Sequence, residues 1–278
     1  MHPPLAREFE AAIAGNDHEV DLFGAAVILA RIRDDNVDGH ACARELDLIA
    51  EAVVDDVGGR GDTEALASAI DHQLFTVRGF HGEREEMDDP RNSCIDQVLR
   101  RRTGLPILLS LVYIEVAQRV GLPCDGIGYP GHFIVRYGEH GNARYVDPFH
   151  QGVRLDREEL LAGLRGQPLG GATPESFLAG VTRRQFIQRM LNNLRAAYRV
   201  HRDISRWLDT VELQIRLEPW NAALVGERGM LRYRLGQYHL ALRDLERYVG
   251  ASERGAAHRG AVRLLDELRL RFEREGEG

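Results

Sequence analysis

The chain has 278 residues, a net charge of −7 and an apolar fraction of 44%, which is enough for one large or two ordinary domains around a buried core. Its acidic balance argues against broad attraction to nucleic acid or anionic lipid. The longest apolar runs, Ala25–Ala30 and Leu105–Leu111, are far too short to span a bilayer, so no membrane association is expected. Met1-His2-Pro3-Pro4 is neither basic nor followed by an apolar segment of the secretory type, and a cytoplasmic location is expected. There is no lysine, which excludes any mechanism needing a lysine of this chain. Cys42, Cys94 and Cys124 are widely spaced, with neither a Cys-x-x-Cys pair nor a Cys/His ligand pattern, so reduced thiols are expected rather than disulfides or structural zinc.

From Pro4 to Val57 the apolar spacing is helical, as in Phe23, Val27, Ala30 and Ile32, then Ala43, Leu46, Ile49 and Val53. Gly58-Gly59-Arg60-Gly61-Asp62 is a break, and Asp62 or Thr63 is placed to cap a helix through Leu66, Ile70 and Leu74. The acidic stretch His81 to Pro90 reads as an exposed loop. Asn92 or Ser93 is placed to cap a short helix, Cys94 to Arg102. Gly104-Leu105-Pro106 then leads into the most apolar helix, Ile107 to Val120, closed by Gly121. Asp125–Tyr129, Phe133–Tyr137, Arg144–Val146 and Gly152–Leu155 alternate like short antiparallel strands. The arginine runs at Arg100–Arg102 and Arg183-Arg184 read as solvated helix faces with some capacity for local anion sites.

From Thr182 onward every element reads as helical. Setting Pro219 at the closing position of a helical repeat of about 34 residues puts Gly229, Gly236, Tyr238 and Ala241 at the small and aromatic positions of a tetratricopeptide repeat. One period earlier, Leu191, Leu194 and Tyr198 fall on apolar positions and Trp207 replaces a small residue. Ala256–Leu270 reads as a capping helix. The expected fold class is α+β: a mainly helical core with a small antiparallel sheet, followed by an all-α tetratricopeptide-like region. The expected division is a helical subdomain over 1–90, a core over 91–178, and repeats with a cap over 179–278.

Chemistry concentrates in Tyr129-Pro130-Gly131-His132-Phe133 and Val146-Asp147-Pro148-Phe149. A histidine opening one strand and an aspartate ending the next fall at one edge of an antiparallel pair, placed as a base and the group that orients it. A metal site of His132 and Asp147 with His140 or His150 lacks a ligand-spaced motif, so no metal and no cofactor is expected.

The order of histidine and aspartate after a long buried helix resembles the papain-like and transglutaminase-like core. The likeness is closest to the Sir-B type of transglutaminase-like proteins with C-terminal tetratricopeptide repeats. It is carried by Asn92-Ser93, Gly104-Leu105-Pro106-Ile107, Ser110, Gly121-Leu122, Pro130-Gly131-His132-Phe133, Asp147-Pro148-Phe149 and Arg189-Met190-Leu191-Asn192-Asn193-Leu194. The resemblance implies a cysteine nucleophile at the start of the central helix, activated by His132 and aligned through Asp147. That position falls on Pro106 or Ile107, neither of which can attack a carbonyl, and Leu108 stands where relatives carry a further serine. Cys94, Ser110 and Cys124 are the substitutes to consider.

The reading that follows is a non-catalytic protein-binding, scaffold or regulatory module that retains His132 and Asp147 as a relic pair. Tyr129 and Tyr145 are expected along its cleft, and Tyr198 and Trp207 along the groove of the repeats, for a protein or peptide partner. The alternative is a cysteine hydrolase or acyltransferase with a relocated nucleophile, using the same two residues.

Overall fold

The computed structural model describes residues 3–59, 61–138, 142–167, 169–251 and 255–276. Its N-terminal part is helical as the apolar spacing predicts, with α1 (Pro3–Ala12), α2 (Leu22–Arg31), α3 (Gly39–Val57) and α4 (Thr63–Asp71). Aspartate caps start three of these helices, the side chains of Asp21, Asp38 and Asp62 accepting from the backbone N–H of Gly24, Ala41 and Ala65. Such caps satisfy amides that have no partner inside the helix.

The acidic stretch after α4 is not entirely loop. It opens with β1 (His81–Gly82), which pairs in parallel with β2 (Thr103–Gly104), too short a strand to show any periodicity. Between them lies α5 (Ile95–Arg101), shorter at both ends than expected. Asn92 and Ser93 do not cap it. They belong to a 3-10 turn, Pro90–Ser93, capped by Asp89, and the Asn92 amide instead donates to the Glu86 carbonyl (2.6 Å) and accepts from Arg101 (2.9 Å). Of the arginine run, Arg100 is exposed as expected and donates to Gln97, whereas the partly buried Arg101 lies 3.6 Å from Glu83 and Arg102 pairs with Glu45 at 2.6 Å.

Helix α6 (Pro106–Arg119) is central, and Ile107 to Ala117 are all buried. It packs against a four-stranded antiparallel sheet in sequential order, β3 (Cys124–Ile127), β4 (Ile134–Tyr137), β5 (Arg144–Asp147) and β6 (Val153–Leu155). Two elements that the sequence pattern does not reveal, α7 (Arg157–Leu164) and the turn Pro174–Leu178, cover part of this sheet. Leu160, Leu161 and Leu178 pack there with Ile127, Ile134 and Tyr145. The fold is thus α+β, followed by five helices: α8 (Arg183–Val200), α9 (Ile204–Leu217), α10 (Ala222–Arg234), α11 (Tyr238–Ala251) and α12 (Ala256–Gly276). Among the described residues no helix is long and apolar enough to cross a membrane.

Two compact units result, one spanning Ala14–Met190 and one made of the chain up to Ile13 together with Leu191 onward. In the second unit α1 packs on α9, where Arg216 meets Glu10 at 2.9 Å. The repeat signature describes its packing well. Ala241 and Leu245 are fully buried and form a cluster with Ala261, Leu265 and Leu268 of α12. Between α9, α10 and α11 the carboxylate of Asp244, 5% exposed, is gripped by Arg228 (2.6 and 2.8 Å) and Arg232 (2.7 Å), and Arg232 also reaches Glu212 (2.7 Å).

Gly226 on α10 lies under the ring of Tyr248, where a β-carbon would fall 2.6 Å from the nearest ring atom. Alanine is the better helix former by about 1 kcal/mol, yet the clash predicts that Gly226→Ala destabilises the protein by about 1–3 kcal/mol. Urea unfolding of the variant, followed by helical circular dichroism, measures the sign.

Candidate functional site

Val135 of β4 pairs with Val146 of β5, so the start of one strand lies beside the end of the other. His132, three residues before Val135, and Asp147, one after Val146, therefore meet at the same edge of the sheet. The approach to His132 is a tight turn in which its N–H donates to the Tyr129 carbonyl (2.9 Å), and Gly131 takes a φ of +71°, a region open to glycine at no steric cost.

Asp147 ends β5 and starts a 3-10 turn, Pro148–His150. One carboxylate oxygen, Oδ1, accepts from the N–H groups of Phe149 (3.0 Å) and His150 (3.2 Å). The other, Oδ2, sits 2.7 Å from Nε2 of His132 and 2.7 Å from Nδ1 of His150. Burial pushes this carboxyl up, but the hydrogen bonds from the two imidazoles and their charge outweigh it and hold the group below the usual carboxylate range. Asp147 is thus an anion saturated with donors. The ring of Phe149 stands edge-on to His132, with centroids 5.7 Å apart, and forms an apolar wall beside it.

With Nε2 committed to Asp147, the nitrogen of His132 left to act as a base is Nδ1, and it has no hydrogen-bond partner among the described residues. Helix α6 packs against both β4 and the turn after Asp147, and its first turn supplies Pro106 and the buried Ile107. The substitutes are elsewhere. Cys94 is fully buried with its Sγ 3.3 Å from the Pro90 carbonyl, and burial pushes its thiol up to about 12. Cys124 pairs with Tyr137 at the far end of the β3–β4 hairpin and is pushed by burial up to about 12, while Cys42 is raised to about 11. Ser110 is a core hydroxyl that donates to the Phe133 carbonyl at 3.4 Å.

Of the four aromatic residues expected at binding surfaces, two are packing residues. Tyr145 is 5% exposed within the apolar cluster over the sheet, and Tyr198 is 2% exposed. Tyr129 is half-buried and its hydroxyl donates to the Leu160 carbonyl (2.9 Å); Trp207 is half-buried and its indole N–H donates to Glu227 (2.6 Å). His140 lies outside the described residues.

Two residues of the site lie outside the pair read from the sequence, where His150 enters only as an alternative metal ligand and Arg189 has no role. His150 is one, although Asp-Pro-Phe-His spaces a carboxylate and an imidazole by three residues, and on a 3-10 turn such side chains eclipse. Arg189 is the other. Its Nη2 donates to the His132 carbonyl at 2.9 Å and its guanidinium lies 5.0 Å from the Phe133 ring centroid. Burial lowers its pKa, and it has no carboxylate partner among the described residues. It lines a groove of about 400 Å³ with Gly128, Phe177, Gly180, Val181 and Gln188.

The lowered pKa of Asp147 fixes a sign. Its contribution to stability is complete above the unfolded-state value of about 3.9 and is lost as the pH falls through the lower folded-state value. Urea unfolding between pH 2 and 6 is expected to show a steeper acid loss for the wild type than for Asp147→Asn. Asp147→Ala, which strips the partners from two backbone amides, is expected to cost about 1–3 kcal/mol at neutral pH.

Residues 40–192 match the transglutaminase-like superfamily, and residues 194–268 match the tetratricopeptide repeat. A UPF0162 protein of Xylella fastidiosa (strain Temecula1) is 32% identical over 245 residues, covering 84% of this chain and 85% of the relative. A UPF0162 protein of Pseudomonas aeruginosa is 30% identical over 238 residues, covering 84% and 85% respectively. F-box only protein 21 of Mus musculus is 30% identical over 180 residues, which are 60% of this chain and 28% of that protein. No solved structure matches the chain. The sheet-edge His–Asp pair packed on a buried central helix, the repeats that follow and these likenesses agree: the chain belongs to the UPF0162 family, a transglutaminase-like core followed by tetratricopeptide repeats.

Proposed function

We propose that this protein is a non-catalytic transglutaminase-like module that binds a protein or peptide, its core having kept the base and its orienting carboxylate without the group they would activate. Tetratricopeptide repeats point to protein–protein interaction in general. One observation carries the finer reading: the first turn of α6 presents Pro106 and Ile107, and Nδ1 of His132 meets neither a thiol nor a hydroxyl among the described residues. An acyl-transfer enzyme of this type needs a nucleophile within about 3–4 Å of that nitrogen. The three thiols are instead raised well above their ordinary range by burial, the opposite of an activated thiolate.

Alkylation of the native protein, followed for each cysteine by mass spectrometry across pH 5 to 9, tests this. Slow reaction of Cys42, Cys94 and Cys124 below pH 7, unchanged in His132→Ala, is the expected result. A single cysteine that reacts fast below pH 7 in the wild type and slows in the variant would instead establish a histidine-paired thiolate, and with it a hydrolase or acyltransferase.

A further inference from the structure

The cluster of His132, Asp147 and His150 has a property that neither the relic pair nor the repeats require. Two imidazole nitrogens from different turns converge on one carboxylate oxygen, each at 2.7 Å, and the three donor atoms all lie within 4.8 Å of one another. We infer that His132 Nε2, Asp147 Oδ2 and His150 Nδ1 form a binding site for a divalent transition metal ion, zinc first among them.

The donor set supports that class of ion. Two imidazoles and one carboxylate suit zinc and its neighbours, whereas magnesium and calcium favour oxygen cages. Bonds of about 2.0–2.1 Å to a tetrahedral ion set the donors roughly 3.3 Å apart. The two 2.7 Å contacts must therefore open slightly, while the two imidazole nitrogens stand no more than 4.8 Å apart. Shifts of about 1 Å or less satisfy both, and rotation of the half-exposed His150 side chain supplies them.

The surroundings are those of a supported ligand shell. The non-ligating oxygen of Asp147 is fixed by two backbone N–H groups, and the His132 backbone is held on both sides, by the Tyr129 carbonyl and by Arg189. Metal ligands are oriented in this way by hydrogen bonds from groups behind them. Binding requires each imidazole to turn an unprotonated nitrogen to the ion, with any proton now facing Asp147 passing to the other ring nitrogen or to solvent.

Three protein donors leave one position of a tetrahedron open to water. Because the ion would occupy the bond between Nε2 and Oδ2, a loaded site and an intact His–Asp hydrogen bond exclude each other.

The test is metal binding itself. The tag-free full chain, stripped with chelator and dialysed, is titrated with zinc chloride by calorimetry and with cobalt(II), whose visible absorption reports coordination number. One zinc per chain at a Kd of about 1 µM or tighter is expected, with a four-coordinate cobalt spectrum. Loss of one ligand in His150→Ala, a side chain 45% exposed whose removal leaves the core intact, is expected to weaken binding at least about 100-fold, as is His132→Ala. The exposed His18, replaced by alanine, serves as the control and is expected to change nothing. No saturable binding below 100 µM, or binding unchanged in His150→Ala, would overturn the site. Neither result bears on the cysteine reactivities, so this inference and the proposed function stand or fall separately.

Discussion

The carboxylate of Asp147 accepts four hydrogen bonds, two from the backbone of its own turn and two from imidazoles, and the residue is 4% exposed to solvent. A buried anion is tolerated only when its lone pairs are met by donors, and here the donors come from three directions. They hold the end of β5 in its turn, the approach to β4 against it, and His150 beside both. The position of His132, the tautomer it adopts and the orientation of the Phe149 wall all follow from this one group. Arg189 secures the same turn from the other side by holding the His132 carbonyl, so side chains from three separate segments converge on a few residues of backbone.

Much of this was legible in the sequence because its physical causes are local. Alternation of apolar residues located the four strands, and the pairing of Val135 with Val146 brings His132 and Asp147 together as their positions at strand ends imply. The central helix announced itself through its composition and through proline at its first turn. Spacing from Pro219 located the close-packed Gly229 and the buried Ala241. What stayed hidden depends on tertiary contact. The strand His81–Gly82 exists only because Thr103–Gly104 pairs with it. Asn92, a good cap by type, is used as a bridge between a loop carbonyl and an arginine.

The site shows the same division. The histidine and aspartate could be read from order and spacing, and Pro106 at the first turn of the central helix from its sequence. His150 lay in plain view in Asp-Pro-Phe-His, but a ligand or hydrogen-bond role for it depends on a 3-10 turn of three residues that no periodicity reports. Arg189 is 57 positions from the carbonyl it holds, and nothing in its own segment indicates that contact. Aromatic residues misled in the other direction: Tyr145 and Tyr198 have the composition of contact residues, but their surroundings make them part of the interior.

The clamp in the repeats, where Arg228 and Arg232 close on Asp244, has a consequence that comes from the absence of lysine in this chain. Guanidinium groups keep their charge far beyond any physiological pH, whereas lysine ammonium groups begin to lose theirs about two units or more lower. The joint between these helices is therefore closed by planar forks, one of them bidentate on Asp244, and not by ammonium point charges. Acetylation or ubiquitin attachment at a lysine side chain has no target in it, so of the common marks on cations only one at arginine itself could disturb the clamp.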